Sequence, residues 1–239
     1  MLKYRNLQFA NATKFNDPFD CHPALFDYSN PPVNERNWPP ADFLSMKGNN
    51  DMTNFRNSTW ICCLSRTYDS LLMWAYYTGH KGMCIGLDEE SVLDSLHYKF
   101  IGSTRPHAEE VEYEDIQQKP DYFINKKHTF GVNLLTRKSK EWSHEQEVRL
   151  ITQEPMWVHS GQAVPKELEK KEPIDWKEIR HYPAIRRKCF KALYLGVKMS
   201  QENKNKIIEV AKSINNDIEI YQMTLDTDAF KLKEEPVRI

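Results

Sequence analysis

The sequence predicts an α+β protein, a mixed central sheet with packed helices, in a single domain spanning 1–239. Three observations carry that expectation. Strand-length apolar runs, rich in β-branched and aromatic residues, recur at 59–64 (TWICCL), 82–87 (GMCIGL) and 191–197 (KALYLGV). Helical patterns stand between them, at 71–77 and again after Ser200, a residue suited to capping. With 40% hydrophobic and 12% aromatic content, 239 residues suffice for one large core.

The chain is organised around 59–88. Its first strand, 59–64, is apolar on alternate positions of both parities and so reads as buried on both faces. A polar turn, 65–69, follows, and Asp69 is placed to cap a helix through LLMWAYY. That helix is apolar nearly all round, which predicts packing on most sides, with Tyr76 and Tyr77 in the core or stacked on a planar ligand. Gly79 ends it, and the strand 82–87 completes a strand-helix-strand unit with Ser65, Tyr76, Tyr77, His80 and Lys81 at its joints.

Upstream, a short strand at 7–10 leads to a turn at Asn16-Asp17-Pro18, anchored by Phe15 and Phe19. Residues 29–40 are Pro-rich and irregular; a modest helix starts near Ala41, and 47–57, containing GNNDMTN, reads as a loop. Downstream, a helix begins after Asp88 with acidic residues in its first turn. Strands are expected at 98–101 and 111–113 with a loop between them, then a helix within 122–140 that ends near Ser139. A strand through 142–151 would turn Glu145, Glu147 and Arg149 to one face. Residues 154–186, with Trp157 and Trp176, read as an irregular excursion. The last unit, strand 191–197, helix 201–214 and strand 217–223, permits a parallel pair.

A formal charge of -1 and a pI near 6.7 give no global field that attracts nucleic acid or an anionic membrane. No apolar leader or spanning window is present in the sequence, which suggests a cytoplasmic protein. Its five cysteines suit reduced thiols better than a disulfide framework, and without CxxC or HExxH no closed zinc site, nor any other metal cofactor, is expected. Asp17, Asp20, Cys21 and His22 cluster as a carboxylate-histidine metal site would, but a turn whose polar groups satisfy backbone amides is the plainer reading. No Walker loop, GxGxxG or GxSxG names a reaction.

Two groups of residues suit chemistry. Glu145 and Glu147 on one face with Arg149 could divide acid–base labour; the plainer reading is a solvated face with a lateral ion pair. Ser65, with Arg66 and Thr67, stands at a strand's carboxyl end, and Lys81 is placed to meet a phosphate or to sit in a surface turn.

Taken together, FNDPFD at 15–20, LLMWAYYTGHKGMCIGLD at 71–88, K-x-x-x-WSHEQEVRLI at 138–151 and ALYLG at 192–196 resemble a bacterial family of unknown function, the domain of unknown function 2971 type. The order Arg5, Ser65, Glu145-Gln-Glu147 is also similar to that of arginine-serine-glutamate mono-ADP-ribosyltransferases. That resemblance implies an ADP-ribosyltransferase-like fold and an enzyme that takes NAD and an unknown acceptor. Glu147 would then stabilise the ribosyl cation, Glu145 orient the acceptor, Ser65 fix Glu147 or the ribose, Arg5 or Lys81 hold the pyrophosphate, and Tyr76 or Tyr77 stack on nicotinamide. Asn16, Asp17, Asp20, Trp74 and Trp142 would wall the pocket, and Arg149 would contribute to cofactor binding. The competing readings are a non-enzymatic interaction or phage-defence module, in which Trp74, Trp142 and Arg149 form a structural network, and a nuclease with a metal between Asp17, Asp20 and Glu145.

Overall fold

The structure, a computed structural model, describes residues 1–32, 34, 36, 38–97, 106–115, 119–124, 129–153 and 180–238. It is α+β, and its strands divide between two larger sheets and a small one. In the first sheet β2 (Thr59–Ser65) and β7 (Glu147–Gln153) form the central antiparallel pair. β4 (His107–Glu110) borders β7, while β1 (Phe9–Asn11) and then β8 (Arg180–His181) lie beyond β2. The β2–β7 register sets Thr59 opposite Gln153 and Ser65 opposite Glu147. One end of this pair therefore brings a hydroxyl beside a carboxylate.

In the second sheet β3 (Met83–Leu87) runs antiparallel to β9 (Phe190–Leu195), which pairs in parallel with β10 (Glu219–Leu225); β11 (Leu232–Pro236) closes the edge. The helix between the parallel strands, α5 (Gln201–Ile214), is capped by Ser200, whose hydroxyl accepts from Asn203 N, as the sequence predicts. The third sheet is β5 (Glu112–Glu114) parallel to β6 (Arg137–Ser139).

Side chains alternate across a strand, and the first sheet uses both faces. Trp60, Cys62 and Leu150 join Phe9 and, from the second sheet, Phe190, Leu193 and Ile220 in one core. Ile61 and Ile151 face the other way, onto Leu134 and Leu135 of α4 (Thr129–Thr136) and Met52 of α1 (Ala41–Asn57). The apolar run of β2 is buried on both sides for this reason, up to the point where Cys63 emerges.

Several expectations are corrected. Helix α1 continues through 47–57, where a loop was expected: Gly48 packs under Tyr28 and Tyr122, and Met52 enters the core. Tertiary packing outweighs the weak intrinsic helicity of GNND. Residues 107–110, expected as loop, form β4, and the helix expected to end near Ser139 stops at Thr136 where β6 begins. β11 had no sequence expectation; its run LKEEP is exposed after Leu232 and so shows no apolar alternation. Phe15 packs against the core as expected, whereas Phe19 is 67% exposed. The strand expected at 98–101 and most of the excursion, including Trp157 and Trp176, lie outside the described residues.

The helix α2 (Leu71–Thr78) departs furthest. Its cap is Ser70, accepting from Met73 N, while Asp69 instead accepts from Thr67. Only Trp74 is buried; Tyr76 and Tyr77 are 72% and 70% exposed. The strands on either side of it pair with β7 and β9, so they enter different sheets and leave α2 spanning the edge. Gly79 terminates the helix at φ 56, donating to Ala75 O, and the following chain returns close to β9. There Gly196 donates to Gly82 O, and a Cβ on it would stand 2.8 Å from that oxygen. Gly196→Ala should therefore cost about 1–3 kcal/mol, read as a lower midpoint in urea unfolding; an unchanged midpoint would show that the junction yields freely.

Candidate functional site

Arg149, fully buried on β7, is the centre of the site. Its Nε and Nη2 donate to the two oxygens of Glu147 at 2.9 and 3.1 Å. Nη1 and Nη2 donate to Asp20 at 2.8 and 2.7 Å, and Nη1 also reaches Leu135 O at 2.6 Å. A guanidinium presents a planar fork that pairs with a carboxylate on each edge. Glu147 and Arg149 share a face of β7 as alternate residues, and the Asn-Asp-Pro turn delivers Asp20 from the other side.

Glu145 comes from a different element than expected. The strand begins at Glu147; Glu145 ends the 3-10 turn Lys140–Glu145, and Gln146 joins them in the left-handed region at φ 41. The sequence EQEVRLI alternates well enough to read as strand throughout, but Ser139 caps the turn, accepting from Glu141 N, and Gln146 N closes it on Ser143 O. Ser65 Oγ donates to Glu145 O at 2.6 Å and so holds that backbone.

Lys138, on β6, draws the acids together. Its Nζ donates to Glu145 Oε2 at 2.6 Å and Glu147 Oε2 at 3.0 Å, and Asp20 Oδ2 lies 3.9 Å away. The ammonium also sits 4.9 Å from the ring centre of Trp142. Burial alone would push Lys138 down, but Glu147 and Glu145 outweigh it and hold its pKa above the ordinary lysine value. Burial likewise pushes Glu147 up, and Arg149 and Lys138 reverse it to below the ordinary carboxylate value. Three carboxylates against two cations leave the cluster formally one negative charge in excess.

That cluster forms the wall of a hollow of about 240 Å³, lined also by Ser65, Met73, Tyr77 and Cys63. Tyr77 OH reaches Glu145 Oε1 at 3.4 Å, and burial together with the Glu145 charge raises its pKa. Cys63 opens to the hollow, and desolvation together with the Glu147 carboxylate pushes its thiol up. A second hollow of about 260 Å³ lies across Lys138 and Asp20, beside Asp17, Phe19 and Arg137. Its Arg137 is paired with Glu114.

Of the residues singled out from sequence, Ser65, Tyr77, Glu145, Glu147, Asn16 and Asp20 border this one hollow, and Arg149 stands directly behind it. The others are elsewhere. Tyr76 faces outward beside His144, and Trp74 packs with Met223 and Leu232. Arg5 sits in a turn at φ 53 whose carbonyl accepts from Ile185 N, and Lys81 follows Gly79 in the exposed joint. Asp17 accepts from Phe19 N, closing its own turn. The convergence a nuclease needs is missing: Asp20 and Glu145 are bridged by cations, and no group of His, Cys, Asp and Glu among the described residues is arranged to hold a metal ion. Lys138, Tyr113, whose hydroxyl accepts from Glu147 N, and Met73 were missed as site residues. Lys138 and Met73 left a signal only as members of the quoted K-x-x-x-W and LLMWAYY motifs.

The fold and site define an α+β protein with a buried carboxylate–cation cluster opening on a hollow. Residues 73–150 match the model of a family described as "Protein of unknown function (DUF2971)", so the family resemblance read from the motifs holds over this stretch. The matched residues run from α2 to Leu150 and include Tyr77, Lys138, Glu145, Glu147 and Arg149. No curated protein and no solved structure matches the chain. No described helix is long and apolar enough to cross a membrane.

Proposed function

We propose that this protein uses NAD in an ADP-ribosyltransferase-like reaction or its hydrolytic counterpart. The observation that carries the reading is the meeting of Ser65, Tyr77, Glu145 and Glu147 around one hollow whose excess charge is negative. Breaking the nicotinamide–ribose bond sends its electron pair to the pyridinium ring and leaves cationic character on the ribose. An acceptor or water oxygen then bonds to that carbon and gives up a proton. A fixed negative wall favours such a transition state, because charge develops where the stabilising groups already stand.

The roles differ from those the resemblance implies. Both oxygens of Glu147 are engaged by Arg149 and Lys138, so Glu147 holds the cluster in place. Glu145 keeps Oε1 toward Tyr77 and the hollow, and it is the carboxylate for the ribosyl cation. Ser65 fixes the backbone of Glu145, and the Tyr77 ring offers a stacking face for nicotinamide. Arg5, Tyr76 and Lys81 take no part. At about 240 Å³ the hollow suits a ring and a ribose, since pockets for drug-sized ligands begin near roughly 300 Å³.

Nicotinamide release from NAD tests this. Glu145→Gln should lower it about 10²–10³-fold without shifting the thermal midpoint by more than a few degrees. Wild-type protein that neither binds nor cleaves NAD, with or without cell extract as a source of acceptor, would remove the reading.

A further inference from the structure

The charged hollow has a neighbour. A smaller cavity of about 160 Å³ shares Ser65, Met73 and Tyr77 with it, and continues past them toward Tyr68, Trp74 and Met83. The two hollows adjoin along these three residues. The far end of the smaller one is walled by an indole, a phenol and two thioethers, surfaces that pack well on a flat ring. Tyr68 is itself stacked on Tyr194, with ring centres 4.3 Å apart and planes within 9°, so its ring is held in place before any ligand arrives.

The polar groups of this end are biased in one direction. Ser65 Oγ donates to Glu145 O, Ser70 Oγ to His144 O and Thr78 Oγ1 to Trp74 O. Thr67 Oγ1 donates to Asp69, Tyr77 OH to Glu145 Oε1 and the Trp74 indole to Tyr68 O, while hydrogen bonding to Glu234 pushes the Tyr68 hydroxyl up to about 12. Apart from the weak Cys84 thiol, every side-chain donor lining the cavity is thus already used. A hydroxyl oxygen has two lone pairs; those of Ser65 and Ser70 each accept a single backbone N–H, from Thr67 and Met73. The side chains of the cavity therefore accept hydrogen bonds and have almost none to give.

We infer that this cavity is a second subsite, for a planar heteroaromatic ring carrying an amino group, occupied by the far end of the same ligand whose cationic end meets Glu145. An amino group finds lone pairs there, whereas a ring carbonyl in its place is left without a donor, and an unmet buried acceptor is costly. The inference rests on the NAD reading only for the identity of the charged end.

Adenosine and inosine are the probes: inosine carries a carbonyl in place of the amino group and an N1–H in place of the ring-nitrogen acceptor, so its one ring donor sits a position away from that of the amino group. Methionine-methyl NMR of the full chain is the readout, with Met73→Leu and Met83→Leu assigning the two signals and Met52, in the opposite core, as the internal reference. Adenosine should move the Met73 and Met83 methyls while Met52 stays, and inosine should need at least about tenfold more nucleoside. Unmoved Met73 and Met83 methyls at the solubility limit of adenosine overturn the subsite, and equal response to the two nucleosides overturns the amino-ring assignment. If NAD is consumed and adenosine has no effect, the subsite alone is lost. A response to adenosine in protein that leaves NAD intact keeps the subsite and discards the NAD reading.

Discussion

Arg149→Ala should lower the free energy of unfolding by roughly 3–5 kcal/mol, the usual cost of stripping one partner from a buried ion pair. For a chain of this length that corresponds to a thermal midpoint about 6–20 °C lower. The substitution leaves Asp20 and Glu147 facing each other, both almost wholly buried, with Lys138 alone to serve them. It also frees Leu135 O, which accepts from the guanidinium. Tryptophan fluorescence in urea measures the change. Adding Asp20→Asn and Glu147→Gln to Arg149→Met should recover part of the loss, because the stranded charges are then gone. A cost below about 1 kcal/mol would be typical of a solvated ion pair and would contradict the buried centre described above.

Lys138→Met should give the second largest effect, and one that depends on pH. Glu147 has a folded pKa below its ordinary value of 4.5, so it contributes stability that is present above that value and is lost as pH falls through the folded pKa. Lys138 has a folded pKa above its ordinary 10.5; its contribution is complete below 10.5 and is lost as pH rises through the folded value. Near neutrality both contributions are in full force, and the variant should be least stable relative to wild type. As pH falls through the folded value of Glu147 that carboxylate takes up a proton, the missing ammonium matters less, and the difference should shrink. Thermal unfolding of both proteins between pH 3 and pH 8, about the span in which carboxylates titrate and stability peaks, reads this directly. A gap that stays constant or widens toward acid would show that Lys138 acts through packing on Trp142, not through charge.

The site is a case in which residue types are legible from sequence and their assignment to elements is not. Glu145, Glu147 and Arg149 stand out by spacing, and two of them do share a strand face. Glu145 does not, because a single left-handed residue, Gln146, breaks the strand, and EQEV shows no glycine or asparagine to signal it. Asp20 was visible only as one acid in a turn, and its role depends on an arginine 129 residues further along. Lys138 carries no periodic signal at all. The exposure of α2 was misread for a related reason: LLMWAYY has the composition of a core helix, and only the separation of its flanking strands into two sheets leaves its tyrosines at the surface.

From the amino-acid order alone came the α+β class, the doubly buried strand at 59–64, the capped helix after Ser200, its parallel strand pair and the family resemblance. These are local matters, set by side-chain periodicity and by which residues can close a turn. Tertiary structure alone decided that Ser65 opposes Glu147, that Lys138 and Arg149 hold three acids between them, and that a hollow opens in front of Glu145. Burial in a low-dielectric interior makes such pairings costly to break, yet partners far apart in sequence leave no period by which to find them.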